Sequence, residues 1–220
     1  MTSEKLVLAY CIAEQKSKVE LPSSGVEGAP VRWIDTGVLR CLASDFGKRM
    51  PEVPVAETVQ EFSQVLQRIF EQTVIIPFRF PTIVEGDEVL RQFIEARSVE
   101  YGKALRRLQN KVQMDVRITL ARAEEPEPRA QSGKDYLEAR RAQHQQVQSI
   151  LTEFRRVSES PAKDWVQRDT PSGIRAFALV DRGALDEFLK NLGRVQMPAG
   201  VSARITGPWP PSEFVETAHE

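Results

Sequence analysis

The sequence predicts an α+β protein made of two small α/β-sandwich-type domains. Three observations carry this. Its 220 residues suit one large or two small domains. Short apolar runs, some strictly alternating, recur between Gly- and Pro-bearing stretches and read as strands. Between them lie longer segments whose apolar residues return every three or four positions, the helical period.

Taken in order, Leu6 to Ala13 is apolar on both faces and reads as a central strand. Residues 14–30 are polar and carry Pro22, Gly25, Gly28 and Pro30, which predicts a mobile loop. Val31–Asp35 and Val38–Ala43 are short runs split by Thr36-Gly37, the pattern of a hairpin. Pro51 to Pro54 marks a second loop. Val55, Val59, Phe62, Leu66 and Ile69 then share one helix face, with Pro54 and Glu57 suited to its start. Val74-Ile75-Ile76 reads as a strand, and Pro77 puts the next residues on an edge or in a turn. These elements close an expected first domain at 1–84.

The expected second domain, 85–220, opens with a long helix N-capped by Asp87 and running to about Asn110. Leu90, Ile94, Tyr101, Leu105 and Leu108 form its face. Residues 112–120 show the cleanest alternation in the chain, a strand with one wet face. Ala123 to Gln131 is an acidic, proline-bearing linker. Ser132-Gly133-Lys134-Asp135 has the spacing of a helix cap, and the helix runs to about Val157. Residues 158–173 read as irregular. Ala176–Val180 is a buried strand, and Leu185–Leu192 a short helix stopped by Gly193. Val201–Ile205 is a last strand, which Pro208, Pro210 and Pro211 then take out of the sheet as a stiff extended segment. Helices beside such a sheet give a modified ferredoxin-like layout, with one element missing or altered.

Composition narrows the function. A net charge of −1 exerts no global pull toward nucleic acid or anionic lipid. The longest apolar run, Leu6–Ala13, falls far short of the roughly 20 residues that span a bilayer. Glu4, Lys5 and Glu14 around it do not suit a signal peptide, so a cytoplasmic protein is expected. Cys11 and Cys41 lie in apolar runs with no CxxC spacing, as reduced core thiols do. His144 and His219 are the two histidines. The first lies on a helix without metal-ligand spacing and the second is next to last. No phosphate-cradling Gly motif occurs, and Glu124, Glu125 and Glu127 have no positioned partner carboxylate. The Arg doublets at 106–107, 140–141 and 155–156 read as solvated helix faces, without an RNA-stacking motif beside them. The expectation is a non-enzymatic protein with no cofactor and no metal.

Two aromatic blocks beside prolines are the candidate partner contacts: Phe78, Arg79 and Phe80, and Trp209 with Phe214. Packing inside the protein is an equal alternative for each, and a core staple is the better reading of the Trp209 segment.

The C-terminal words Thr206-Gly207-Pro208-Trp209-Pro210-Pro211, followed by Phe214-Val215, resemble the signature of the gas vesicle protein F/L family (GvpF/GvpL). Further blocks fall in that family's order: Leu8-Ala9-Tyr10, Leu42-Ala43-Ser44-Asp45, Ile75 to Phe80, Val112 to Val116, Ser132 to Leu137, and Phe177 to Arg182. The sequence departs at Pro81, where the family has Gly, and at Ser212, where Tyr is common; the helix before Val74 lacks the His often found there. The resemblance implies two α+β domains and a minor structural or assembly role in the gas vesicle. It implies contacts with the apolar shell protein and other accessory proteins, with no nucleic acid or membrane partner; self-association is allowed. The alternative is a ferredoxin-like regulatory module that binds a small molecule or RNA.

Overall fold

The computed structural model describes residues 6–46, 56–120, 133–170 and 173–215. The Pro51–Pro54 loop, the acidic stretch 123–131, the Ser132 cap and His219 lie outside them. The chain packs into two compact units, Met1–Gln109 with Trp209–Glu220, and Asn110–Pro208.

In the first unit, β1 (Leu6–Glu14) is buried along nearly its whole length, as an unbroken apolar run requires. β2 (Val31–Thr36) and β3 (Leu39–Phe46) form the expected hairpin, with Thr36 opposite Leu39. The two-residue turn between them starts at Gly37, whose φ of +75° suits glycine. The sheet order is β2-β3-β1-β4, with antiparallel pairing throughout. β4 is only Ile76–Pro77, at the edge where a proline is tolerated. The same edge of β1 then pairs with β5 (Ile83–Glu85), a strand not expected from sequence.

α1 (Ala56–Phe70) buries Phe62, Val65, Ile69 and Phe70, while Val59 is exposed. The predicted long helix is two: α2 (Gly86–Glu95) and α3 (Ser98–Leu108). Asp87 does not cap α2. Glu85 stands at the cap, and the Asp87 carboxylate takes two hydrogen bonds from Arg32 of β2, at 2.8 and 2.6 Å. Leu90, Ile94, Tyr101 and Leu105 join Val7, Ala9, Ile12 and Ile34 in one core. The boundary expected at residue 84 therefore falls inside this unit, because β5, α2 and α3 complete its sheet and core.

The loop after β1 is anchored rather than loose. Val26 is fully buried and its N–H donates to the Tyr10 hydroxyl at 2.9 Å. The same hydroxyl lies 3.0 Å from Ser44 Oγ, and Glu27 N–H reaches Glu61 Oε2 at 2.9 Å.

In the second unit the element order is β6 (Lys111–Leu120), α4 (Gly133–Val157), β7 (Ala162–Thr170), β8 (Gly173–Asp181), α5 (Leu185–Leu192) and β9 (Val201–Trp209, its last residue counted with the first unit). The sheet order is β7-β8-β6-β9. A β-α-β-β-α-β chain in this order is ferredoxin-like with every element present. β7 supplies the element that the sequence left missing, in the stretch read as irregular. It is an edge strand whose charged residues obscure the alternation, and a bulge between Ala162 and Asp164 shifts its register. One sheet face carries Val112, Met114, Val116 and Ile118 with Ala176 and Ala178, and the core is completed by Val147, Leu151 and Phe154 of α4 and Phe188 of α5.

β9 continues through Gly207 and Pro208 instead of ending at Ile205. It is the other edge strand, where a residue without an N–H costs no ladder bond on the open side. Gly207, with φ of +131°, brings its backbone close to β6: a Cβ there would stand 2.9 Å from the Gln113 carbonyl oxygen.

Candidate interaction surface

The first aromatic block is shaped by the gap between β4 and β5. Phe78 N–H donates to the Tyr10 carbonyl and Ala9 N–H to the Thr82 carbonyl, both at 2.9 Å. Between these two ties the chain leaves the sheet edge, and Phe78, Arg79 and Phe80 sit on the excursion. The Phe80-Pro81 peptide is cis. Phe80 turns inward, with its ring 4.9 Å from Phe62, which stacks on Tyr10 at 5.0 Å. Phe78 is half-buried against the core and lies 6.3 Å from the Phe93 ring of α2. Arg79 is exposed.

The second block divides the same way. Phe214 is buried, 3 % exposed, and Val215 packs on the first unit's core. Trp209 is 43 % exposed. The C-terminal segment is thus stapled to the core through Phe214 and Val215, while Trp209 itself stays partly exposed.

Sequence reasoning missed Val89 and Phe93. They lie at i and i+4 on α2 and are 49 % and 40 % exposed. Arg97 lies over the Phe93 ring, 4.7 Å from its centroid. A signal was present: each stands one position before a core residue, Leu90 or Ile94, so the apolar arc of α2 is wider than its buried stripe. With Phe78 they form an apolar surface at the excursion's side of the first unit.

Other chemistry is sparse among the described residues. No group of three His, Cys, Asp or Glu side chains could hold a metal ion. Cys11 stands opposite Leu42, and Cys41 opposite Ile12. Facing pairs share a side of the sheet and successive residues alternate, so the two thiols point to opposite faces and cannot bridge. Both are fully buried, and burial pushes each thiol pKa up. His144 is exposed on α4, with Nε2 3.4 Å from Gln148 Nε2. An open polar depression of about 630 Å³ lies between α1 and the loop before β2, lined by Ser23, Ser24, Glu61, Gln64, Arg68 and Glu71. No helix among the described residues is long and apolar enough to cross a membrane.

Comparison with known proteins gives one consistent result. A family model described as gas vesicle synthesis protein GvpL/GvpF matches residues 6–216. Gas vesicle protein L of Streptomyces sp. (strain CB03234) is 27 % identical over 258 residues, covering 100 % of this chain and 96 % of that protein. The crystal structure of gas vesicle protein GvpF from Anabaena sp. PCC7120 superposes with a TM-score of 0.79 at 14 % identity, over 98 % of each chain. GvpF from Microcystis aeruginosa gives 0.77 at 15 %, over 98 % of this chain and 100 % of that one.

Proposed function

This chain belongs to the gas vesicle synthesis protein GvpL/GvpF family, and from that premise we propose that it is a non-enzymatic assembly component that holds the apolar shell protein before it joins the vesicle wall. The observation that carries the proposal is the apolar surface of Val89, Phe93 and Phe78. Contiguous exposed apolar side chains mark surfaces that a partner covers. Phe93 is a large anchor half in water, with Phe78 beside it and Arg97 over its ring; large aromatics carry much of interface energetics and Arg is frequent among anchors. Trp209 and Arg79, both exposed, are further candidate contacts. Phe80 and Phe214 support these from within. Residence is at the gas vesicle, with other accessory proteins as further partners.

The test is co-purification of shell protein with the full chain in a vesicle-forming host. Val89→Glu with Phe93→Glu should abolish capture and vesicle formation at unchanged protein level. Val38→Glu, at the 72 % exposed hairpin tip, is the control and should leave both intact. Undiminished shell capture by the α2 double variant would remove the proposed surface. Normal vesicles in a clean deletion strain would remove the assembly role.

A further inference from the structure

The second unit carries a row of arginines on the sheet face away from its helices. Arg117 of β6 stands opposite Arg175 of β8, and Arg175 opposite Arg168 of β7. On β9, Ser202 Oγ lies 2.9 Å from Thr119 Oγ1, which puts both hydroxyls on this face. Arg204, two residues on, shares it by the strand period. Arg168, Arg117 and Arg204 are exposed; Arg175 is partly so. Among the described strand residues, the acids of the face are Asp115, which takes 2.9 and 2.6 Å hydrogen bonds from Arg175, and Asp164 and Asp181 toward the opposite end. Lys111 stands opposite Asp181. Counted over the described strand residues, the end bearing Thr119 has more arginines than acids, in a chain whose net charge is −1.

We propose that this arginine row is a docking face for an extended acidic segment of a partner protein. Four strands at about 4.8 Å spacing set a row roughly 14 Å long, the length of about four extended residues. Carboxylates at alternate positions of such a segment meet guanidiniums along the row, where paired hydrogen bonds favour Arg–carboxylate contact. The Thr119 and Ser202 hydroxyls add polar partners at its rim. The face does not suit single-stranded nucleic acid, which needs open aromatic rings on which bases stack. Among the described residues its aromatic, Phe177, is 2 % exposed, with Arg175 and Arg168 over the ring at 4.8 and 5.8 Å from the centroid. This inference does not depend on the shell-binding surface, which lies in the other unit.

The experiment uses the full chain and a fluorescent peptide of alternating Glu and Thr, with a Lys-Thr peptide and an oligothymidylate as comparison probes. The Glu-Thr peptide should bind at low salt, weaken as salt rises and outcompete both others. Arg117→Glu with Arg204→Glu should weaken it by at least about tenfold, and the Gln pair should move it in the same direction, both at an unchanged Tm. Peptide affinity that survives both pairs, absence of Glu-Thr binding, or oligothymidylate binding as tight as peptide binding would each overturn the proposal.

Discussion

Phe214 and Trp209 are five residues apart and do different work. Large aromatic side chains lose about 3–5 kcal/mol when truncated in a core. Phe214→Ala should destabilise the protein on that scale in urea titrations, and Trp209→Ala by clearly less, because its ring is 43 % exposed. Equal losses would show that Trp209 is also a core residue. Gly207 answers to backbone geometry. A Cβ at Gly207 would lie 2.8 Å from Met114 Sδ and 2.9 Å from the Gln113 carbonyl, at a φ of +131°. Gly207→Ala should cost more than about 1 kcal/mol, since strain and crowding add. The buried thiols set an alkaline limit. Burial raises the pKa of Cys11 and Cys41 above their ordinary 9.0, so the folded state keeps two protons that the unfolded chain gives up. Their contribution is complete below pH 9 and is lost as pH rises above it. Tm should fall through that window, and less steeply in a Cys11→Ala, Cys41→Ala double variant; parallel curves would rule the thiols out.

Elements were legible where one pattern governed them. β1, the β2–β3 hairpin, β6 and β8 follow from unbroken or alternating apolar runs, and α5 from the helical spacing of Leu185, Phe188, Leu189 and Leu192. Two were not. β7 presents Lys163, Asp164, Gln167, Arg168 and Asp169 in nine residues, and its pairing with β8 makes it a strand rather than its own composition. The break between α2 and α3 carries no Pro or Gly. Ile94 and Tyr101 stay in phase across it, so the periodicity runs on while the backbone turns at Arg97, φ −120°. Tyr10 ties the loop before β2 to the sheet, a link between residues 16 positions apart. Tyr10→Phe leaves the buried Val26 N–H without that acceptor and should cost about 1–3 kcal/mol. Limited proteolysis between residues 15 and 30 should quicken in the variant; an unchanged cleavage rate would mean that the loop is held by its other contacts.

At the scale of the molecule, the first unit is discontinuous: it takes Trp209–Glu220 from the far end of the chain, after the whole of the second unit. Removing residues 210–220 takes away Phe214 and Val215. Amide exchange should then speed up across β1 to α3, while β6 to β9 keep their protection. Loss confined to the second unit would contradict the assignment of the tail. Aromatic residues beside prolines singled out two segments, but sequence could not separate inward Phe80 and Phe214 from exposed Trp209, because exposure depends on what packs against each ring. By itself the sequence determined the α+β class, most strands and helices, the burial of both thiols and the family, since these rest on local periodicity and residue order. The tertiary structure decided which aromatics remain exposed, where one unit ends, and how arginines from four strands fall into one row, because each depends on contacts between segments far apart in the chain.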